Sequence, residues 1–206
     1  MTDMAEHGVL VLADISGFTA FVTATEIEHG PQIVGALLEE VMAQLAPPLQ
    51  IQEVEGDAVF ALGPDRAVTP PVRLLDVLDG AFAAFRSRRR RLAADESCPC
   101  GACRRVSSLD LKIVAHHGRF LRHVVGGRGQ VAGADVILAH RLLKNHLSGR
   151  HAYLLLTEAA LRWIGVDPER EGLIAHRERY EHLGDVTCFV KDLDLEVARE
   201  GQSAHW

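Results

Sequence analysis

An apolar run near the start of the chain, followed at once by an acidic residue and a turn, constrains the fold more than any other stretch. Residues 9–12 read Val-Leu-Val-Leu, which is typical of a buried strand. Asp14 lies at the C-terminal end of this strand, where open α/β sheets bind ligands. Ser16 and Gly17 then predict a turn into a helix, with Ser16 as its N-cap. A carboxylate beside a helix N-terminus suits a cation bound to a triphosphate; the alternative is that Asp14 only caps the helix.

Length and charge limit the classes of protein to which this chain can belong. Its 206 residues predict one domain over residues 1–195, with a Cys-rich insertion at 95–106 and a flexible polar tail at 196–206. The formal net charge of −6 argues against nucleic-acid binding. No apolar run approaches the ~20 residues that span a membrane, and the N-terminus lacks the pattern of a signal peptide. We therefore expect a cytoplasmic protein without a membrane span.

Turn residues and apolar periodicity divide the rest of the chain into helices and strands. The first half predicts a helix beginning at Pro31, a hairpin that turns at residues 55–57 with Asp57 on its second strand, and a helix at 72–92. The second half predicts an irregular Cys-rich loop, a hairpin of strands 109–115 and 120–125, a helix at 133–147, a strand at 153–156, a short helix capped by Thr157 and a strand at 186–190. This order indicates an α/β (α+β) sandwich with a mixed, largely antiparallel sheet and helices on one face.

Two acidic residues stand at positions where a site can form. Asp14 ends the first strand, and Asp57 follows the hairpin turn. In a ferredoxin-like arrangement the first strand lies beside the hairpin strands, so the two carboxylates can converge. Paired carboxylates are what two hard cations ~3.5–4 Å apart require, and such cations can activate a hydroxyl and neutralise a triphosphate.

Four segments together resemble the class III nucleotidyl (adenylate/guanylate) cyclase domain, in a divergent bacterial branch. These segments are residues 12–19, 55–58, 111–118 and 133–142. The resemblance extends over roughly residues 8–192, and it implies the ferredoxin-like class III cyclase fold and a homodimer with active sites between the subunits. It also implies conversion of a nucleoside triphosphate to a cyclic nucleotide and pyrophosphate with Mg²⁺ or Mn²⁺.

The resemblance further implies a role for individual residues. Metal ions would bind Asp14, Asp57 and the carbonyl of Ile15, and phosphates would bind the turn Gly17, Phe18 and Thr19. The base would face Glu53 and Gln130. Arg141 would be the catalytic arginine.

Several positions depart from the pattern of this family. Ile137 stands where the family has an asparagine that orients the ribose, and Gln130 stands where it has aspartate or cysteine. Glu53 replaces the lysine of adenylyl cyclases and matches the glutamate of guanylyl cyclases, and Lys191 is the candidate for the late phosphate-binding lysine. Two other functions therefore stay open. One is a catalytically degenerate domain that binds a nucleotide or another ligand as a signalling module. The other is a zinc-stabilised dimerisation domain without a nucleotide site.

The three cysteines Cys98, Cys100 and Cys103 form a cluster of their own. Three thiolates this close in sequence can bind Zn²⁺ with a fourth ligand from His116, His117 or a partner chain. Their spacing is tighter than that of paired Cys-x-x-Cys units, so free thiols or a partial disulfide are the alternative.

Overall fold

The computed structural model describes residues 5–24, 29–95, 98 and 100–193, so the tail expected at 196–206 lies outside the described residues. The strands are β1 (Glu6–Ser16), β2 (Gln50–Glu55), β3 (Ala58–Pro64), β4 (Asp110–Val125), β5 (Arg128–Ala132), β6 (Tyr153–Thr157), β7 (Ile174–Tyr180) and β8 (Gly184–Asp192). The α-helices are α1 (Phe18–Thr23), α2 (Gly30–Leu45), α3 (Arg73–Ala93), α4 (Gly101–Arg105), α5 (Ala134–Leu142) and α6 (Glu158–Ile164).

The strands form one mixed sheet in the order β2-β3-β1-β4-β6-β8-β7, with β5 paired to the far end of β4. β4 and β6 run parallel, and the other pairs are antiparallel. The expected mixed, largely antiparallel sheet is therefore confirmed. Because β1 lies between β3 and β4, Asp14 has Ala58 as its neighbour on one side and Lys112 on the other.

Side chains of β1 alternate between two apolar layers. Val9, Val11 and Ala13 belong to the larger core, which also contains the buried faces of α2, α3 and α6. Leu10 and Leu12 point the other way and pack with the buried residues of α5. Most helices thus cover one face as predicted, and α5 differs because its own apolar stripe packs on the opposite face of the sheet.

The predicted hairpin of strands 109–115 and 120–125 is instead the single long strand β4. The chain turns later, at Gly126 and Gly127, which both have positive φ angles of 59° and 80°. Gly118 lies within the continuous strand. It is a glycine because a Cβ there would lie 2.4 Å from the carboxyl carbon of Asp135. That glycine makes room for a neighbouring side chain rather than for a turn.

Other boundaries also differ from the prediction. The edge strand β7 was missed because its alternation is mostly polar, whereas α5 ends at Leu142 rather than 147. The Cys-rich loop contains the short helix α4, whose Ala102 is fully buried. Thr157 does cap α6 as predicted, since its hydroxyl oxygen accepts the N–H of Ala160 at 3.2 Å.

The start of α1 corrects two details of the sequence analysis. Gly17, with φ 85°, is the N-cap, and Ser16 is the last residue of β1. No side chain caps the helix, so Asp14 does not act as a cap. Asp57 is in the two-residue turn before β3 rather than on that strand.

No helix in the described part of the chain combines the length and the apolar character that crossing a bilayer requires.

Candidate functional site

The end of β1 and the β2–β3 turn bring Asp14 and Asp57 to one place. The N–H of Ile15 donates to the carbonyl of Asp57 at 3.1 Å, which ties the hairpin turn to the strand end. The Asp14 side chain is only 15% exposed. This backbone bond is the local reason why two aspartates separated by 42 intervening residues in sequence become neighbours.

The electrostatics of the pair show that the carboxyl groups interact. The pKa of Asp57 is raised from 3.8 to about 6, first by burial and then by the negative charge of Asp14. A hydrogen bond between the two side chains adds to the rise, while the backbone and Lys112 oppose it. A carboxyl group whose charged form is disfavoured beside a second carboxylate is suited to binding a cation.

Lys112 is a member of this site that the sequence analysis missed. Its Nζ lies 2.8 Å from Oδ2 of Asp14, and its side chain is 22% exposed. The signal was present, because a lysine interrupts the apolar run Leu111–Ala115. Only the antiparallel register of β1 and β4 reveals that this lysine stands opposite Asp14.

The predicted phosphate-binding turn, Gly17, Phe18 and Thr19, directly follows β1. Gly17 needs its left-handed conformation, and a Cβ there would also lie 3.0 Å from the carbonyl oxygen of Ser108. Phe18 is half-buried, Thr19 is exposed, and the Thr19 carbonyl accepts the hydroxyl of Thr23 at 2.8 Å. The turn therefore packs closely against the segment that precedes β4.

The two predicted base-binding residues share a cavity. Glu53 and Gln130 both line a space of about 410 Å³, and both are exposed. Phe60 and His140 form part of its wall, with their rings in edge-to-face contact at 5.0 Å between centroids. The cavity thus offers polar groups at its rim and an aromatic wall.

Arg141 and Ile137 lie one turn apart on the exposed side of α5, and Ile137 is 55% exposed. Among the described residues, no ion pair joins Arg141 to either aspartate. Lys191 is not part of this site, because its ammonium lies 3.7 Å from Asp79 of α3, on the opposite face of the sheet.

The cysteine cluster has a fourth member that the sequence analysis did not identify. One ligand atom from each of His29, Cys98, Cys100 and Cys103 lies within 4.8 Å of all the others, so the group could hold a metal ion. The sequence instead predicts His116, His117 or a partner chain as the source of the fourth ligand. His116 Nδ1 lies 2.8 Å from the hydroxyl of Thr157, and His117 Nε2 lies 2.8 Å from Asp65, so both rings are engaged elsewhere.

The family profile described as "Protein of unknown function (DUF2652)" matches residues 34–152, which is more than half of the chain. The chain belongs to this family. The matched range contains Asp57, the three clustered cysteines and Arg141, and it begins after Asp14 and His29. A relative in Mycobacterium tuberculosis (strain ATCC 25618 / H37Rv), "Uncharacterized protein Rv2561/Rv2562", is 34% identical over 157 residues, which cover 76% of this chain and 72% of the relative.

Solved structures connect the fold of this DUF2652 member to cyclases. The adenylyl cyclase CyaB from P. aeruginosa superposes with a TM-score of 0.71 at 14% identity, over 93% of this chain and 97% of CyaB. The guanylyl cyclase Cya2 superposes with a TM-score of 0.66 at 16% identity, over 92% and 93% of the two chains. The class III cyclase fold expected from the sequence motifs is therefore confirmed.

Proposed function

We propose that this cyclase-like domain is a metal-dependent nucleotidyl cyclase, which converts a nucleoside triphosphate to a cyclic nucleotide and pyrophosphate. The observation that carries the proposal is the meeting of Asp14 and Asp57, where burial and then the charge of Asp14 raise the pKa of Asp57 to about 6. The fold is that of adenylyl and guanylyl cyclases. Because nucleoside triphosphates are its substrates, we expect the domain to act in the cytoplasm.

The residues present fit a divalent cation. Two partly buried carboxylates leave negative charge in one place, and the ion pair with Lys112 uses only Oδ2 of Asp14. Oxygen ligands of this kind are the ones that Mg²⁺ and Mn²⁺ prefer. When bound, the cation would supply the positive charge that activates the ribose hydroxyl and neutralises the triphosphate.

The chain's own groups would bind the other parts of the nucleotide. Backbone N–H groups of the Gly17–Thr19 turn would donate to phosphate oxygens. The ammonium of Lys112 would add a positive charge close to the two carboxylates. Glu53 could accept hydrogen bonds from the N–H groups of guanine, and Gln130 can both donate and accept in the same cavity. We therefore expect GTP to bind more tightly than ATP.

We further propose a homodimer in which each site is completed by the partner subunit's Arg141. Support comes from exposed apolar side chains on the β4–β5–α5 segment, where Val124 is 72%, Val125 52% and Ile137 55% exposed. A symmetric pair would cover such a surface twice. Sedimentation should show a dimer at micromolar concentration, and a monomer at high micromolar concentration would contradict this part of the proposal.

A second candidate function is nucleotide binding without turnover. It is favoured by Ile137, because a hydrocarbon side chain cannot form the hydrogen bond that orients a ribose. Loss of one positioning hydrogen bond near the reacting centre typically costs ~10²–10³ in rate. Turnover, if present, should therefore be slow and should prefer Mn²⁺.

The test is a nucleotide screen with Mn²⁺ that measures binding and cyclic product separately. Asp57→Asn should abolish product and weaken triphosphate binding in the presence of Mn²⁺. Asp185→Asn is the matched control, because the Asp185 side chain is 75% exposed and β8 lies towards the opposite edge of the sheet from β2 and β3. Binding without product would select the second candidate. Absence of binding would refute both and leave the dimerisation domain.

A further inference from the structure

A second group of chemically reactive side chains lies apart from the aspartate pair. His29 immediately precedes α2, Cys98 and Cys100 precede α4, and Cys103 lies within α4. The Nδ1 atom of His29 lies 3.3 Å from Sγ of both Cys98 and Cys100, although 69 and 71 positions separate them in sequence. All four side chains are half-buried.

We propose that Cys98, Cys100, Cys103 and His29 form a structural zinc site with one Zn²⁺ per chain. Zinc prefers four tetrahedral ligands, and Zn–S bonds of ~2.3 Å place the sulfur atoms ~3.8 Å apart. The four ligand atoms here all lie within 4.8 Å of one another, which fits a single ion. The N–H of Cys103 points to Sγ of Cys100 at 3.4 Å, so the backbone already supports negative charge on that sulfur.

The composition of the site indicates a structural rather than a catalytic role. Three thiolates and one imidazole fill a tetrahedral zinc ion and leave no open position. The segment that carries the cysteines is anchored in the core through Ala102 and Val106, which are both fully buried. The ion would therefore connect the start of α2 to a packed helix that follows α3 in the chain.

The location gives the zinc a specific consequence for the rest of the molecule. α4 contacts α1, α2 and α3, and the helical turn that follows it ends at Ser108. The carbonyl oxygen of Ser108 is the group closest to the missing Cβ of Gly17. Zinc would thus stabilise the segment against which the turn at the start of α1 packs. This inference does not depend on nucleotide binding, because metal content and backbone protection are measured without nucleotide.

Metal analysis of the full chain, purified under reducing conditions with zinc present, tests the site. We expect one zinc per chain by native mass spectrometry. Titration of the thiols with a mercurial should release it. Cys100→Ser and His29→Ala should raise the dissociation constant for zinc at least tenfold. Cys188→Ala and His151→Ala are the matched controls: Cys188 is buried in a separate apolar cluster and His151 is exposed, so both should retain zinc.

Cobalt provides a readout that does not depend on whether a variant folds. The wild-type chain loaded with Co²⁺ should show the absorption bands of tetrahedral cobalt with thiolate ligands. Reduced protein that binds neither zinc nor cobalt would overturn the proposal. Protein that contains iron and sulfide, or an intact Cys98–Cys100 or Cys100–Cys103 disulfide after aerobic purification with zinc, would overturn it as well.

Hydrogen exchange tests the structural role. Removal of zinc by the mercurial should speed amide exchange at least tenfold in α1 and α4, whereas β7 and β8 should be unaffected. Unchanged exchange in α1 and α4 after complete loss of zinc would refute the claim that the ion supports the α1 turn.

Discussion

Replacing Asp57 by asparagine should make the metal-free protein more stable near neutral pH, even though it removes a proposed metal ligand. The charged form of Asp57 is disfavoured in the fold, first by burial and then by the charge of Asp14. An amide of nearly the same shape carries no charge, so it avoids this cost. The same change should remove any stabilisation that Mn²⁺ brings, because the cation would then have one carboxylate in place of two.

The magnitude follows from the pKa of Asp57, which rises from 3.8 to about 6 in the folded protein. Because the folded state holds this proton more tightly than the unfolded state, stability falls as pH rises through that window. A pKa shift of ~2 units corresponds to a loss of about 3 kcal/mol in the free energy of unfolding, before any correction for solvent screening. Asp57 is partly exposed, and solvent screening reduces the cost to about 1–2 kcal/mol. The cost is complete above pH ~6 and absent below pH ~4.

Urea unfolding of wild type and Asp57→Asn at several pH values measures this difference. The buffers should be freed of Mg²⁺ and Mn²⁺ without a chelator, so that the proposed zinc stays bound. Asp185→Asn is the control and should lie within about 0.5 kcal/mol of wild type throughout, because that side chain is exposed. Added Mn²⁺ should stabilise wild type and leave the variant unchanged. A difference that is independent of pH, or a variant less stable than wild type at neutral pH without metal, would refute the reasoning.

Three further substitutions test the fold and the site. Gly118→Ala would put a Cβ 2.4 Å from the carboxyl carbon of Asp135, so we expect a loss of about 1–3 kcal/mol in urea unfolding, and an unchanged midpoint would contradict the packing. Asp110→Ala should lower the free energy of unfolding by about 3 kcal/mol. The wild-type carboxylate lies 2.8 Å from the guanidinium of Arg89, and the substitution leaves that cation partly buried without its anion. Thermal unfolding measures this loss. Ile137→Asn should raise cyclic-nucleotide formation about 10²-fold if the rest of the site is intact, and two equally inert proteins that both bind nucleotide would identify a sensor.

Elements with a strong local pattern were predictable. The apolar run of β1 is typical of a buried strand, and the apolar residues of α2 and α3 recur with the period of a helix. The edge strand β7 was missed because its alternation is polar, and an edge strand needs little apolar surface. β4 was divided in two because Gly118 imitates a turn residue, whereas its function is to make room for Asp135.

The candidate site shows the same division. Its residue types were visible in sequence, since Asp14 and Asp57 stand beside turn signals in recognisable motifs. Lys112 was missed because a single basic residue in an apolar strand has no meaning until the neighbouring strand is known.

By itself, the sequence determined the type of each strong element, the family resemblance, and the presence of two carboxylates and three clustered thiols. Only the tertiary structure decided which other side chains contact those carboxylates and thiols. His29 reaches cysteines 69 and 71 positions away because α2 and α4 pack on the same core, and Lys112 meets Asp14 through the register of two antiparallel strands. Such contacts depend on how separate elements pack together, and the local propensities and periodicities from which a sequence is interpreted carry no information about that packing.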